Sequence, residues 1–370
     1  MKYNFVVPCL MGTEGLVADE LKFNGFEDVV SENGRVRFSG DMAECARANV
    51  ILRCGERVLL ELARFKAFTF EQLFQGVKSI AWEKMVGVKD SFPVKGYCLD
   101  SKLHSVPSCQ SIIKKAAVER LKEKYHVSWL DETGAKYQIQ FAIIKDTAEI
   151  YLDTTGAPLY KRGYKQESNE ATIRETLAAS MVKVARYRGR ETLIDPFCGS
   201  GTIIIEAAMA ALGIMPGARR DFDAENWGFF DISVFDEVKE RYKAQERHEK
   251  LPIYGYDIDP KCVEMTIENA RRAGVADCIE VKQGDALKIN YPKDRSVIIT
   301  NPPYGQRMFD IEHARRLYKG LGMRLKGCDS VKKYIITSDA EFEQHFGAKA
   351  DKKRKLYNGM IKCDLYMYFK

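Results

Sequence analysis

Asn301-Pro302-Pro303-Tyr304 ends an apolar run, Val297-Ile298-Ile299, that reads as a buried strand. Proline has no backbone N–H and a fixed φ, so Pro302 and Pro303 stop sheet pairing and stiffen the loop. Asn301 is held extended because it precedes a proline. The corner presents two acceptors, the Asn301 side-chain oxygen and the Pro302 carbonyl, which match the two hydrogens of an exocyclic amino group. Tyr304 adds an aromatic face on which a flat base can stack. An aryl amine is a poor nucleophile because its lone pair is delocalised into the ring. Accepting both N–H bonds lets the nitrogen become more tetrahedral, a task of alignment and charge placement that needs neither metal nor nucleophilic side chain. The base must leave its stack to fit such a corner. In isolation Asn-Pro-Pro is more often a plain turn. Its position directly after the fourth strand of a parallel sheet favours the chemical reading.

A second constellation lies upstream. Leu193 to Ala208, "LIDPFCGSGTIIIEAA", reads as strand, tight turn and helix, with Gly199 and Gly201 letting the backbone approach a ligand. A dinucleotide fingerprint would want glycine at Ile204 and an acid about 20 residues on; both are missing. No lysine follows the glycines, which excludes a phosphate-cradling P-loop. A loop that holds a nucleoside without a pyrophosphate remains. Asp195, at the end of its strand, can accept from an ammonium, directly or through water. Asp257, ending the next strand, is expected to accept both hydroxyls of a ribose. Asp285 can accept from an adenine amine, with the Ala286 N–H beside it. Ribose, adenine and an amino-acid moiety together make S-adenosylmethionine. Each element alone is weak, since single strand-end aspartates are often helix caps; their order along the chain carries the reading.

The elements that must position these residues follow from hydrophobic periodicity. Strands at 191–195, 253–257, 278–283, 297–300 and 334–338, with helices at 172–187 and 201–212, predict a doubly wound parallel sheet. A long insertion, 213–251, carries its own amphipathic helix around 234–247, and the tail "YNGMIKCDLYMYFK" reads as an added hairpin strand. The first half reads as two small α+β units in series. Strands are expected at 3–7, 57–65, 92–100, 137–144 and 148–153, and helices at 13–24, 41–53, 69–77 and 107–126. Asn33-Gly34 predicts a type I′ hairpin turn, and Asp41 a helix cap. In the helix at 107–126, Ile112, Ile113, Ala116, Ala117 and Leu121 form the apolar stripe, with Lys114, Lys115, Arg120, Lys122 and Lys124 around it.

At 370 residues the chain is long enough for two or three domains. Its net charge of +6 is a mild excess, compatible with a nucleic-acid partner without requiring one. The ten cysteines show no C-x-x-C pair and the five histidines do not cluster, so no metal site is expected. Cys9, Cys98 and Cys262 look like small buried hydrophobes. The start, "MKYNFVVPCLMGTEG", lacks the features of a signal peptide, and no apolar segment is long enough to span a bilayer. A cytoplasmic protein without membrane contact, acting as a monomer, is expected.

"DPFCGSGT" and "NPPY" resemble the class I amino-methyltransferases, an α/β class with a Rossmann-like doubly wound sheet. "RGYKQESNEATIRETLAASMV", "PGARRDFDAENWGF" and "NPPYGQRM" are similar to the THUMP-domain RNA methyltransferases related to the large-subunit rRNA guanine-N2 enzymes. The opening "P–GTEGLVADEL" resembles that family's ferredoxin-like start, and residues 63–153 its THUMP domain, so the likeness covers nearly the whole chain. It implies an α+β ferredoxin-like domain at 1–62, a THUMP domain at 63–155 and a catalytic domain at 156–370. It further implies S-adenosylmethionine as cofactor, a structured RNA as substrate, foremost 23S rRNA with tRNA as the alternative, and N2-methylguanosine as product.

Carried over residue by residue, Asp195, Pro196, Cys198, Gly199, Gly201, Thr202, Asp257, Ile258, Asp285, Ala286 and Asn301 would surround the cofactor, with Thr172 and Arg174 beside its methionine end. Asn301, Pro302, Pro303 and Tyr304 would hold the target amine. Lys114 and Lys115, with Lys122 and the run "DKKRK" at 351–355, are candidates for tracking phosphates, as are Arg162, Tyr164 and Arg307 near the catalytic mouth. Charge runs are as often plain solvated faces. Some relatives carry a second methyltransferase domain at the C-terminus, for which this chain is too short. "NPPY" also occurs in adenine-N6 methylases, because the amine chemistry is the same; the THUMP-like half favours RNA. A non-catalytic RNA-binding assembly factor is the rival from another class, and the intact glycine turn and NPPY corner argue against it.

Overall fold

The computed structural model describes residues 2–165, 173–292, 294–304 and 308–369, with the side chains of Met308 and Phe309 left out. Two seven-stranded sheets organise these residues. The first is built from β1 (Tyr3–Pro8), α1 (Glu14–Phe23), β2 (Glu27–Glu32), β3 (Arg35–Gly40), α2 (Met42–Ile51), β4 (Leu59–Lys66), α3 (Phe70–Lys78), β5 (Val94–Leu99), α4 (Val106–Tyr125), β6 (Ile139–Ile144) and β7 (Thr147–Asp153). Its strand order is β2-β3-β1-β4-β7-β6-β5. The two α+β units expected in series therefore share one sheet. β4 pairs with β1 on one side and β7 on the other, and the expected junction at 62/63 falls inside it. A polar cluster crosses the same seam: Glu149 on β7, 1% exposed, binds Arg37 from β3 at 2.6 Å and Arg64 from β4 at 3.1 Å.

Local signals explain most of these elements. Asp41 caps α2 in a reciprocal capping box with Glu44. The buried stripe of α4 is Cys109, Ile113, Ala116, Ala117 and Leu121, with Ile112 half-buried beside it. The β2–β3 turn differs from expectation: only Gly34 takes positive φ (+71°), so the turn is not type I′. Glu14 fixes it instead, accepting from the Gly34 and Gly12 N–H groups at 2.9 Å each. The loop with two left-handed residues is Lys145-Asp146 between β6 and β7, at φ +49° and +58°.

The second sheet follows. It comprises α5 (Glu175–Val184), β8 (Thr192–Asp195), α6 (Thr202–Leu212), α7 (Ser233–Lys243), β9 (Ile253–Asp257), α8 (Pro260–Ala273), β10 (Glu280–Gln283), β11 (Ser296–Thr300), α9 (Met308–Arg324), β12 (Val331–Thr337), α10 (Phe342–Phe346), β13 (Lys352–Asn358) and β14 (Ile361–Tyr368). α5 is shorter than expected at both ends. The order β10-β9-β8-β11-β12-β14-β13 is parallel through β12, while β14 runs antiparallel to both its neighbours. This is the doubly wound sheet expected, with the order reversing between β8 and β11, where such sheets bind ligands at their carboxyl edge.

The insertion is not a free appendage. Phe222, Trp227, Phe230 and Phe235 belong to the core under the first sheet. Trp227 stacks on Tyr137 at 4.9 Å between centroids and donates from Nε1 to the Lys136 carbonyl at 2.9 Å. The ten cysteines form no disulfide; seven are buried, whereas Cys9, Cys98 and Cys262 are only half-buried, less than their apolar neighbours suggest. Among the described residues no helix is long and apolar enough to cross a membrane.

Candidate active site

β8 runs into the turn Pro196–Gly201 before α6 begins. Gly199 and Gly201 take φ of +54° and +81°, which side chains bearing a Cβ rarely adopt. A Cβ on Gly201 would also meet Thr266 Cγ2 at 2.5 Å, so the turn lies directly on α8. Thr266 Oγ1 donates to the Gly199 carbonyl at 2.7 Å and Asn269 Nδ2 to the Ser200 carbonyl at 2.9 Å. The Gly199 N–H donates to Asp257 Oδ2 at 2.9 Å. The loop is thereby a fixed wall, held by the end of β9 and by α8.

That wall bounds a cavity of about 770 Å³ at the carboxyl ends of β8 to β11. Its size suits a nucleoside cofactor, since such sites run to roughly 300–1,000 Å³. Arg174, Pro196, Gly199, Asp257, Ile258, Asp285, Ala286, Asn301, Pro302, Pro303 and Tyr304 all line it. Thr172 and Arg307 lie outside the described residues. Cys198, Gly201 and Thr202 stand behind the wall: the Cys198 sulfur lies 3.9 Å from Thr266 Oγ1, and Thr202 is 2% exposed.

The acids differ in what they leave open. Asp257 Oδ1 accepts the Asp259 N–H at 3.0 Å and Oδ2 the Gly199 N–H; each carboxylate oxygen keeps a second lone pair for a ligand hydroxyl. Asp285 Oδ1 accepts from the Leu287 N–H at 2.9 Å. That bond, with Lys288 at 3.2 Å, holds its carboxyl below the usual range against burial. The Ala286 N–H has no acceptor among the described residues, so the donor beside this acid is open to a ligand. Ile258, 68% exposed between two aspartates, gives the pocket an apolar wall at the same edge. Arg174 rests on the Tyr160 ring at 4.9 Å and pairs with Glu56 at 3.7 Å.

Asp195 has a different place from the one expected. It is 1% exposed and does not line the cavity; Oδ1 accepts from Thr300 Oγ1 at 2.6 Å and the Phe197 N–H at 3.2 Å. It braces β8 against β11 across the switch point. Burial pushes its carboxyl up to about 7, outweighing those two donors.

The NPPY corner leaves β11 as expected, and the Pro302 carbonyl has no donor among the described residues. Tyr318 Oη donates to the next carbonyl, Pro303, at 2.7 Å, fixing the loop from α9. The Asn301 oxygen, however, is taken by the Tyr304 hydroxyl. Tyr304 is turned back over Asn301 and half-buried, and burial pushes its phenol well above the usual range, so it remains a proton donor. A target amine must displace this hydroxyl to reach both acceptors.

Several expected RNA contacts are corrected by burial. The Arg162 side chain is 1% exposed and pairs with Glu206 at 3.4 Å while donating to the Leu159 and Arg53 carbonyls at 2.6 and 2.5 Å. Tyr164, 3% exposed, donates to the same Glu206 at 3.1 Å. Arg162 thereby joins α6 to the first half of the chain, and neither residue lines the cavity. Lys114 packs on the Phe92 ring at 3.5 Å and pairs with Glu132 at 2.6 Å, leaving its charge committed within the protein. Lys115 is exposed. Conversely, Phe197, Leu287, His313 and the hairpin tip Asn358-Gly359 line the cavity without having been singled out. Phe197 lies inside the quoted glycine-turn motif, Leu287 directly follows Ala286 and the tip lies in the quoted tail; His313 is brought there only by tertiary folding.

The descriptions matching this chain are an RMKL-like methyltransferase domain over residues 162–367, an RlmL ferredoxin-like domain over 4–59 and a THUMP domain over 67–153. YpsC of Bacillus subtilis, provisionally named an RNA methyltransferase, is 40% identical across 100% of this chain and 96% of its own length. The ribosomal RNA large subunit methyltransferase K/L of Psychromonas ingrahamii is 33% identical over 99% of this chain; the chain spans 50% of that protein. Among solved structures, SMU.472, a provisional methyltransferase complexed with SAH, superposes with a TM-score of 0.93 at 39% identity, covering 100% of this chain and 98% of that one. A Listeria monocytogenes protein, provisionally named an N6-adenine-specific DNA methylase, does so at 0.94 and 38%, covering 100% and 96%.

Proposed function

The chain belongs to the RMKL-like methyltransferase family, with an RlmL ferredoxin-like domain and a THUMP domain ahead of the catalytic one, and from this we propose that it methylates the exocyclic N2 amine of a guanine in RNA, with 23S rRNA as substrate. The observation that carries the reading is the NPPY corner opening on the same cavity as the glycine turn and the strand-end acids. S-adenosylmethionine, when bound, supplies an electrophilic sulfonium methyl. Asp257 would hold the ribose hydroxyls, Asp285 and the Ala286 N–H the adenine edge, and Arg174 the methionine end.

The chain's own residues then do the positioning. The Pro302 carbonyl takes one amine N–H. Asn301 takes the other once Tyr304 swings away, and the freed ring becomes the face on which the extruded base stacks. With both hydrogens accepted, the amine lone pair points at the cavity. The proton leaves after transfer, past Asn301 to water.

The Listeria relative's name favours a second reading, adenine-N6 methylation, since an adenine amine presents the same two hydrogens. One experiment separates them. The protein is incubated with an unmodified large-subunit rRNA transcript and labelled S-adenosylmethionine, and the product nucleosides are identified by mass spectrometry. N2-methylguanosine, absent with Asn301→Ala although that variant still binds the cofactor, is the expected result. N6-methyladenosine would replace the guanine reading, and label appearing only in tRNA would move the substrate.

A further inference from the structure

At the amino edge of the second sheet, on the side away from the active-site mouth, a groove of about 1500 Å³ runs between α1 and the strand entries. Its lining carries nine lysines and arginines against two acids, Asp19 and Glu191. That surplus of seven exceeds the +6 of the entire chain, so the rest of the molecule has no net positive charge. The mild excess noted in the composition is thus not spread over the surface. It is gathered in one concave place. A smaller depression continues it past Arg188 and Arg190 to Arg247 and Lys250.

Some of these cations have ordinary structural reasons. Lys183 lies in the last turn of α5 and Arg186 just past its C-cap, where positive charge complements the helix dipole. Lys352 and Lys353 sit on β13, an edge strand, where lysine deters unwanted pairing. Neither reason reaches Arg188, Arg190 and Arg295. Arg188 and Arg190 flank Gly189 on the approach to β8, and Arg295 immediately precedes β11, both central strands. All three are exposed, and none makes an ion pair among the described residues. Ser296 pairs with both Thr192 and Val331, so Arg295 stands level with the entries of β8 and β12. Adjacent strands lie about 4.8 Å apart, which spreads the row from β8 to β13 over roughly 19 Å, a span of several phosphates. Guanidinium groups, with planar paired donors, suit phosphate oxygens better than ammonium groups do.

We propose that this groove is a second RNA-docking surface, which grips the sugar-phosphate backbone through Arg188, Arg190 and Arg295 without reading sequence. The inference rests on the RNA-substrate reading above. It assigns the groove a segment of the same RNA distant from the target nucleotide, because groove and catalytic cavity lie at opposite edges of one sheet.

The test uses the full chain, a large-subunit rRNA transcript and the triple variant Arg188→Gln/Arg190→Gln/Arg295→Gln, with affinities measured across a salt series. Each phosphate contact contributes about 0.7 to 0.9 to the slope of log affinity against log salt, so the variant should lose about 2 to 3 from that slope and bind about tenfold or more weakly. Its affinity for S-adenosylmethionine should match the wild type, which reports an intact fold. Wild-type RNA affinity and slope in a variant that still binds cofactor would overturn the docking surface, pointing to an acidic protein or another polyanion, and would leave the proposed reaction standing. A wild-type protein that fails to bind the transcript, or binds duplex DNA better, would sink the RNA reading and this inference with it.

Discussion

Replacing Asp195 by asparagine should make the protein more stable at pH 8 and leave it unchanged near pH 4. The carboxyl is 1% exposed, and burial raises it from an ordinary 3.8 to about 7. The native state therefore holds this proton more firmly than the unfolded chain does. Below the unfolded value both states are protonated and the group contributes no pH-dependent difference. Between about 4 and 7 the native state binds the extra proton, so stability falls as pH rises, by at most about 1.4 kcal/mol per pH unit. Above 7 the penalty is complete. A gap of about three pH units corresponds to roughly 4 kcal/mol. Asparagine keeps an oxygen to accept from Thr300 and the Phe197 N–H, but carries no ionisable group. In urea unfolding at a series of pH values, the advantage of Asp195→Asn should grow from near zero at pH 4 to about 4 kcal/mol at pH 8. A difference that does not change with pH, or a variant less stable at pH 8, would refute the burial argument. Cofactor affinity should follow the same pH profile in Asp195→Asn as in the wild type, because Asp195 lies behind the cavity wall. A pH dependence lost in the variant would instead put its carboxylate in contact with the ligand.

Two further substitutions probe the site and the scaffold. Tyr304→Phe removes the hydroxyl that occupies Asn301 while keeping the stacking face. With a net hydrogen-bond worth of about 0.5–1.5 kcal/mol, methyl transfer should stay within about tenfold of wild type. A loss beyond a hundredfold would mean that the hydroxyl takes part in the reaction. Trp227→Ala should destabilise the protein by about 3–5 kcal/mol in denaturant unfolding, the usual cost of emptying a buried indole site; a loss below about 1 kcal/mol would show that the insertion is not part of the first core.

What the sequence made legible were features whose cause is local. Val297-Ile298-Ile299 is apolar because β11 is buried on both faces, and the prolines that end it act within one residue. The α4 stripe and the Asp41 cap are likewise set within a turn or two of helix. Illegible features depend on partners far along the chain. Nothing near Arg162 announces Glu206, 44 residues on, so an arginine beside a tyrosine looked like surface. The same holds for β4, whose two partners come from opposite ends of the first half. Lys145-Asp146 escaped notice because its left-handed turn uses no glycine. At the site itself, the strand-end order predicted which acids face the cavity, but not that Asp195 turns inward or that Tyr304 folds back over Asn301. Side-chain direction at a strand end is decided by the neighbouring strand, and Thr300 came from one that adjoins β8 only in the folded sheet.

The insertion stacked beneath the first sheet has a mechanical consequence. Swinging the first half of the chain away from the catalytic half would unstack Trp227 from Tyr137 and strip Arg162 of the Arg53 carbonyl, exposing aromatic surface and a buried charge together. The distance between wherever the nucleic acid is gripped and the NPPY corner is accordingly set by the protein's own dimensions. Distortion needed to bring a base into the pocket falls on the RNA, so targets would be sorted by how readily they bend or open at a fixed separation from the grip.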